Sequence, residues 1–266
     1  MATRKPGRTA RPSASKPAAG RAPATAAVAE TWRPDLFDTN VEMHGDLVRN
    51  IPGIRATQNL FDDLSSRPAD WQIAIAAEAA ERIPTPAPLI TRPFDYGTVI
   101  TYSFASEHWQ ASRFSDATRY GVWYGSLEIE TTVYETAWHW SRFVLDSYSG
   151  EDREIVSERR VCDVRCDALL IDLRGKERIH PGLVSRKSYA FCQQVGRYVY
   201  EQGLNGLLVK SARCEGSNAA IFKAERLSNV RDRTFLTYRF NPARDTFVVE
   251  RTPGRRWLSF AAGALG

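Results

Sequence analysis

The chain has 266 residues, of which 43% are hydrophobic and 25% charged, a composition typical of a globular protein that can bury one substantial core. Its formal net charge of +5 comes from residues 1–31, which carry six basic residues and one acidic residue, whereas the remainder carries 30 of each sign. The neutral body argues against a nucleic-acid-binding face, so we expect no direct specific nucleic-acid binding by the folded domain.

Residues 1–31 are rich in Ala, Pro, Ser and Thr and contain almost no large apolar side chain. Such a segment cannot bury enough apolar surface to fold, so the sequence predicts a disordered basic tail followed by one domain over residues 32–266. The tail lacks the apolar run of a secretory signal, and no stretch of about twenty residues in the chain is free of charge. We therefore expect a cytoplasmic protein without a membrane partner.

The chain after the tail begins with an expected ordered lead-in over residues 32–46. Residues 47–52 are predicted to be a short apolar strand, in which Arg49 takes one exposed position. Helical spacing follows at residues 59–64 and, strengthened by many alanines, at residues 69–83. The first part of the domain is therefore expected to be one strand and two helices.

Strand composition returns at residues 98–104, which are rich in β-branched and aromatic residues and are predicted to be a strand. A polar loop with Arg113 then leads into a second predicted strand, residues 120–124. A helix is predicted to begin at Leu127, because Ser126 can cap it and acidic residues occupy its first turn. The predicted order of elements in the central part of the chain is therefore strand, loop, strand and helix.

The predicted central helix has one buried stripe and one polar candidate. The stripe follows from apolar spacings of three and four, at Ile129, Val133, Ala137, Trp140 and Val144. Glu135 lies off this stripe, on a face that includes Trp138. An ordinary helix glutamate would be solvated or paired with His139 four residues on, but the aromatic neighbour indicates a more specialised position.

The remainder of the chain alternates irregularly between strands and a helix. Strand composition occurs at residues 155–173, 206–209, 218–222, 235–240 and 246–251. Residues 185–202 have helical spacing, and Gly203 is the expected end of that helix. Helices and strands without a regular βαβ order predict an α+β fold, with a mixed β-sheet core flanked by helices.

The cysteines and histidines give no metal-ligand pattern. Cys162 and Cys166 are four residues apart, but no second Cys or His pair follows at the spacing of a zinc site, and the four histidines are scattered. We expect buried free thiols and no metal site.

Five short motifs together are similar to the RES domain, a family named after an arginine, a glutamate and a serine. They are SRFSD at residues 112–116, YGVWY at 120–124, TVYET at 132–136, KSAR at 210–213 and NAAIF at 218–222. The segment LVRNIP at residues 47–52 also resembles the opening of the longer members of this family. The resemblance extends over roughly residues 45–240, and the specific signal is the order of the motifs.

The resemblance implies a fold similar to that of the ADP-ribosyltransferases. It also implies an activity that destroys NAD+, by phosphorolysis or hydrolysis of the bond between nicotinamide and ribose. Members of the family are mostly toxins of bacterial toxin-antitoxin pairs, so the expected partners are NAD+ and a cognate helix-turn-helix antitoxin. NAD+ would be the substrate, inorganic phosphate would be the co-substrate of phosphorolysis, and no prosthetic group is implied.

The same resemblance assigns six site residues. Glu135 and Arg113 fall on its catalytic positions, and the substrate-binding positions are Arg49, Tyr124, Ser211 and Asn218. A carboxylate can stabilise the oxocarbenium-like transition state of glycosidic cleavage, and guanidinium groups bind diphosphate oxygens in pairs. The tyrosine can stack on nicotinamide or close over the ribose. The serine offers a hydroxyl and an amide, and is not expected to be a nucleophile because no base lies beside it in sequence.

Two positions depart from the family pattern. Arg113 stands in SRFSD where shorter members have a Gly-Gly-Arg-Trp-like sequence, so Arg119 is the alternative for this arginine. Lys210 stands where a proline is common before the serine, which should matter little. The basic tail is not part of the pattern.

Two other functions stay open on sequence grounds. A protein ADP-ribosyltransferase would use the same fold and NAD+ but would leave a modified partner protein. A non-enzymatic nucleic-acid-binding or regulatory module would depend on the basic tail, and its binding would be salt-sensitive and lost without residues 1–31.

Overall fold

The computed structural model describes residues 34–53, 96–148 and 152–266. In these ranges eight strands form one sheet, and they are β1 (Asn40–Pro52), β2 (Trp123–Ser126), β3 (Ile155–Asp172), β4 (Gly206–Lys210), β5 (Ser217–Ile221), β6 (Leu227–Asn241), β7 (Thr246–Thr252) and β8 (Arg255–Ala261). The α-helices of the same ranges are α1 (Tyr96–Thr101), α2 (Ile129–Tyr148) and α3 (Ala190–Glu201). None of these helices is long and apolar enough to cross a membrane.

The strands are ordered β1-β2-β5-β4-β3-β6-β7-β8, and β1 also pairs with β3 along its full length. The β3–β4 pair is parallel and the other pairs are antiparallel. Strands β1, β2, β5, β4 and β3 therefore close into a ring of pairings, from which β6, β7 and β8 extend. The predicted α+β fold with a mixed sheet is confirmed.

Helix α2 packs on the extended part of the sheet through the predicted stripe. Four members of the stripe are buried and Trp140 is partly buried, and they pack with buried side chains such as Tyr238 and Phe240 of β6 and Phe247 of β7. This packing fixes the rotation of α2 about its axis, so the faces beside the stripe are turned toward β2 and β5.

Helix α3 begins at Ala190, five residues later than predicted, and buries Cys192, Val195 and Val199. Gly196 allows its close approach to the loop before β2, since an added Cβ would lie 1.9 Å from the carbonyl oxygen of Phe114. The helix ends at Glu201, one residue before the predicted end, and Gly203 follows its C-cap with the expected positive φ, +63°.

The prediction of a strand at residues 98–104 is wrong, because this segment holds helix α1. The helix turns Val99 inward, where its side chain is buried and its carbonyl accepts a 2.9 Å hydrogen bond from Trp123 Nε1. Strand propensity reflects how a residue packs on a sheet, and here Val99 joins a buried apolar cluster with Leu47 and Trp123 from a helix instead.

The start of the central region also differs from the prediction. Strand β2 begins at Trp123 rather than at residue 120, because Tyr120 lies in the loop and donates its hydroxyl to Phe114 O at 3.0 Å. Helix α2 begins at Ile129, and Ser126 does not cap it. The Ser126 hydroxyl instead donates to Asn218 Oδ1 at 2.7 Å.

Several strands match their predicted ranges closely, and others are longer. The predicted lead-in contributes to β1, which starts at Asn40, and β6 starts at Leu227, well before the predicted residue 235. Strand β8 was not predicted. The predicted tail and the two helices predicted at residues 59–64 and 69–83 lie outside the described residues.

The cysteines are all free thiols in the structure. Cys162, Cys166 and Cys192 are buried, and Cys214 is half-buried. Burial raises the pKa of Cys162 and Cys166 to about 11, so both stay protonated at neutral pH.

Candidate active site

A cavity of about 690 Å³ opens between β1, β2, α2 and the loop that follows β4. Five of the six predicted site residues line it, namely Arg49, Arg113, Tyr124, Glu135 and Asn218. The sixth, Ser211, lies directly behind Glu135 and donates a hydrogen bond to it. The fold therefore brings together residues that the motifs place up to 169 positions apart in sequence, between Arg49 and Asn218.

The carboxylate of Glu135 is held on one side only. Its Oε1 accepts a 2.6 Å hydrogen bond from Ser211 Oγ and a 2.7 Å hydrogen bond from Asn218 Nδ2. Its Oε2 makes no hydrogen bond to any described residue and is not sealed from the cavity. The side chain is thus oriented by two donors, and one oxygen is left for a ligand. No hydrogen bond joins it to His139, which the simplest reading of the helix pattern had paired with it.

The hydroxyl of Ser211 is committed to this task by its other contacts. Its Oγ accepts hydrogen bonds from the backbone amides of Arg213 at 2.9 Å and Cys214 at 3.2 Å. A hydroxyl has one donor and two acceptor sites, so the two amides direct its proton to Glu135. Ser211 is also buried, at 3% exposure. The Ser211 hydroxyl, at a position that the resemblance assigns to substrate binding, therefore positions the carboxylate of Glu135.

Asn218 is oriented in a similar way by a residue of the neighbouring strand. Ser126 Oγ donates to Asn218 Oδ1 at 2.7 Å, which leaves the Asn218 amide nitrogen to donate to Glu135. Because Asn218 lies on β5 and pairs in register with Ser126 on β2, two strands of the ring hold the carboxylate of α2. The Glu135 geometry is therefore built into the sheet rather than into the helix.

Arg49 brings a positive charge into the cavity without a carboxylate partner among the described residues. Its Nη1 donates to Tyr124 O at 2.6 Å and its Nη2 to Ser103 Oγ at 3.2 Å, while its buried Nε has no hydrogen-bond partner in the described part of the chain. Burial, followed by the charge of Arg159, lowers the pKa of Arg49 to about 10. The side chain therefore stays cationic at neutral pH.

Arg113 is used differently from Arg49. Its Nε and Nη2 both donate to Leu183 O, and Nη2 also donates to Lys210 O at 3.0 Å. These bonds tie the turn at Pro181–Val184 to the end of β4, immediately before Ser211. The alternative arginine, Arg119, is exposed and pairs with Glu201 at 3.3 Å, away from the cavity. The structure thus places Arg113, and not Arg119, at the cavity.

Tyr124 anchors the loop that precedes it. Its hydroxyl bonds to Ser112 Oγ at 2.9 Å and accepts from the backbone amide of Phe114 at 2.9 Å. Burial raises the pKa of the Tyr124 phenol, so it stays protonated. Its carbonyl also accepts from Arg49, so Tyr124, which lines the cavity, connects two of its walls.

Tyr124→Phe is expected to lower the free energy of unfolding by about 1–2 kcal/mol, because the buried amide of Phe114 loses its acceptor. Denaturant unfolding of the full chain measures this change. Tyr200→Phe is the matched control, because Tyr200 is 43% exposed, and its stability should stay within about 0.5 kcal/mol of the parent. Equal stability of the two variants would show that the Tyr124 hydroxyl does not hold the loop.

Two further residues of the cavity, Arg159 and Asn50, were not found by the sequence analysis. Arg159 of β3 is only 7% exposed, and its Nε donates to Asn50 Oδ1 at 3.1 Å. Asn50 Nδ2 in turn donates to Tyr238 OH at 2.7 Å and to Thr136 Oγ1 at 3.1 Å. The sequence signal that could have found Arg159 is the alternation of side chains between the two faces of strand β3. It puts Arg159 on the same face as the apolar Val161.

One of the comparisons with known proteins, the match to a family model, agrees with the motif pattern. The RES domain family model matches residues 79–241. Among solved structures, a chain of the M. tuberculosis MbcT-MbcA toxin-antitoxin complex is similar, with 14% sequence identity and a TM-score of 0.39, over 77% of this chain and 88% of that chain. No curated protein sequence matches significantly.

Proposed function

Because the chain belongs to the RES domain family, as its motifs predicted, we propose that it degrades NAD+ by breaking the bond between nicotinamide and ribose. The observation that carries this proposal is the hydrogen bonding and orientation of the Glu135 carboxylate. Two donors hold one carboxylate oxygen, and the other faces a cavity that also contains the cationic Arg49. A fixed negative charge, and a positive charge that no carboxylate of the described residues pairs with, suit a substrate with a developing cation at one end and a diphosphate in the middle.

The chemistry of the substrate needs one carboxylate and no general acid. When the glycosidic C–N bond breaks, its electron pair returns to the pyridinium ring, so nicotinamide leaves as a neutral molecule without protonation. The positive charge that remains on the ribose is oxocarbenium-like, and Glu135 Oε2 can stabilise it or bind the ribose hydroxyls. An oxygen of hydrogen phosphate or water then bonds to the anomeric carbon, and water gives up a proton to Glu135 or to solvent as it does so.

The cavity has the size and polarity for such a substrate. Its volume of about 690 Å³ is within the range of small-molecule sites. The Arg49 guanidinium suits the diphosphate, since it keeps its charge at physiological pH and makes charge-assisted hydrogen bonds to phosphate oxygens. Tyr124 lines the same space, and we propose that its ring stacks on nicotinamide or closes over the ribose.

The family also supports a biological role. We propose that the chain is the toxin of a bacterial toxin-antitoxin pair, that it acts in the cytoplasm where NAD+ is available, and that a helix-turn-helix antitoxin blocks it by covering the cavity. An enzyme that consumes the common redox cofactor stops growth without a specific macromolecular target, which suits a toxin that a bound partner must keep inactive.

The test is NAD+ consumption by the purified full chain, with and without inorganic phosphate, with the products separated by mass. If the reaction is phosphorolysis, we expect free nicotinamide and ADP-ribose phosphate when phosphate is present. If water also reacts, we expect free nicotinamide without phosphate as well. A folded, antitoxin-free chain that leaves NAD+ intact under both conditions would contradict the proposal. NAD+ loss that requires added cellular protein, with a matching mass gain on that protein, would indicate an ADP-ribosyltransferase instead.

A further inference from the structure

Arg159 is a buried cation of the cavity that the proposed function does not use. It makes two hydrogen bonds, both to Asn50, through Nε at 3.1 Å and Nη2 at 3.4 Å. Its Nη1 donates to none of the described residues, although Arg159 lines the cavity. Its guanidinium also lies 5.6 Å from the centre of the Tyr238 ring. These contacts orient the group, but none of them supplies a negative charge.

The part of the cavity beside Arg49 and Arg159 carries two buried positive charges, which is energetically unfavourable without an anionic ligand. Arg49 and Arg159 are close enough for the charge of Arg159 to lower the pKa of Arg49, and burial lowers the pKa of both. Neither forms an ion pair with a carboxylate within the described ranges. Burying a charge without a counter-charge is costly, so the arrangement favours an anion in the cavity.

The position of Arg159 also relates it to the reacting end of the cavity. Asn50 bonds both to Arg159 and to Thr136, and Thr136 is the residue after Glu135 on α2. The side-chain bridge from β3 through β1 to α2 therefore holds the guanidinium in a fixed relation to the helix that carries the carboxylate. Asn50 is itself only 5% exposed, so its bonds do not compete with solvent.

We infer that Arg159 binds a phosphate oxyanion in this cavity and that Asn50 positions its guanidinium for this role. The inference rests on the proposed function and deepens it, because it names a group that holds the phosphate of the reaction. A guanidinium suits this ligand, since it offers paired donors in a plane and remains charged at any physiological pH. The phosphate has two sources, the diphosphate of the dinucleotide and free inorganic phosphate.

The experiment measures the affinity of the full chain for inorganic phosphate alone and for ADP-ribose alone, by calorimetry at constant ionic strength. Arg159→Met removes the charge and keeps most of the side-chain length. Arg165→Met is the matched control, since Arg165 lies on the same strand, has a side chain that is 38% exposed and pairs with Asp167 at 2.8 Å. We expect parent-like affinities in the control and a loss of at least about tenfold in Arg159→Met.

The pattern of loss identifies the source of the phosphate. If Arg159→Met loses affinity for inorganic phosphate only, Arg159 binds the co-substrate of phosphorolysis. If it loses affinity for ADP-ribose only, Arg159 binds the diphosphate of the dinucleotide. Parent affinity of Arg159→Met for both ligands would overturn the inference, as would a parent chain that binds neither.

A second variant keeps the inference testable if Arg159→Met fails to fold, and it also tests the positioning role. Asn50→Asp keeps the shape of the residue, and the hydroxyl of Tyr238 can turn to donate to the new carboxylate, while the Thr136 hydroxyl keeps its bond to Thr132 O. The carboxylate also neutralises Arg159, so we expect retained stability together with the same loss of phosphate affinity. A merely structural role of Asn50 predicts unchanged affinity in a folded variant, which would contradict the inference.

The inference and the proposed function can fail separately. A parent chain that cleaves NAD+, combined with an Arg159→Met variant that has the parent KM for NAD+ and for phosphate, would refute the inference alone. A parent chain that binds phosphate through Arg159 and leaves NAD+ intact would refute the proposed function alone.

Discussion

Glu135→Gln is expected to reduce the rate of NAD+ cleavage by about 100- to 1,000-fold, the usual effect of removing one preorganised electrostatic group from a transition state. The amide oxygen of glutamine can accept the same hydrogen bonds from Ser211 and Asn218, so the variant should keep its fold and its side-chain position. What changes is the group that faces the cavity, which becomes a neutral amide where an oxocarbenium-like charge develops. Steady-state kinetics should therefore show a fall in kcat with little change in KM.

Glu130→Gln is the control for this prediction. Glu130 lies on the same helix, has a side chain that is 49% exposed and pairs with Arg251 at 3.6 Å, outside the cavity. We expect its cleavage rate to equal that of the parent. NAD+ depletion by Glu135→Gln at the parental rate would remove Glu135 from the catalytic machinery, even if the chain proved to be an NAD+-degrading enzyme.

Arg49→Met is expected to weaken NAD+ binding by about 10- to 100-fold, because a hydrogen bond to a charged group contributes about 1.5–3 kcal/mol. The effect should appear mainly in KM, since the diphosphate is bound in the ground state as well as in the transition state. Binding of ADP-ribose to the full chain gives an independent measurement that does not require turnover.

The controls for Arg49 separate binding from stability. Arg49 also donates to Tyr124 O and Ser103 Oγ, so its loss should cost some free energy of unfolding as well. Arg119→Met tests the effect of charge alone, because Arg119 is exposed and pairs with Glu201 outside the cavity. We expect this variant to bind ADP-ribose as the parent does. Normal ADP-ribose affinity in a folded Arg49→Met variant would exclude the diphosphate role.

Much of the fold could be predicted from local patterns. The stripe of α2 and the apolar runs of β3 and β4 are short-range features, and the structure confirms all three. The strand predicted at residues 98–104 was wrong because its β-rich composition describes packing preferences that a helix satisfied equally well at Val99. The long first half of β6 was missed because it contains many charged residues, and cross-strand ion pairs such as Arg231 with Asp46 make these compatible with a strand.

The set of site residues could be predicted only from the order of the family motifs. Taken alone, an arginine such as Arg49 reads as one exposed position of a strand, and a serine such as Ser211 as a turn residue. Asn50 and Arg159 fall outside the motif positions that were assigned. Apart from the alternation in β3 that puts Arg159 on the face of Val161, nothing in their immediate sequence distinguishes them from ordinary polar residues. Their roles follow from contacts between strands that are 109 residues apart in sequence.

The fold class, the family and the six residues around the proposed site follow from the amino-acid sequence alone, because periodicity and the order of short motifs are visible before the chain folds. The contacts that each of these residues makes exist only in the folded chain. Ser211 and Asn218 are 76 and 83 residues from Glu135, and the hydrogen bonds that direct one carboxylate oxygen to them and leave the other to the cavity exist only after the sheet forms. Arg159 looks like an ordinary strand arginine in the sequence, but in the fold it is buried and has no counter-charge among the described residues. Because desolvation makes an unpaired charge costly, this burial is what gives Arg159 its significance.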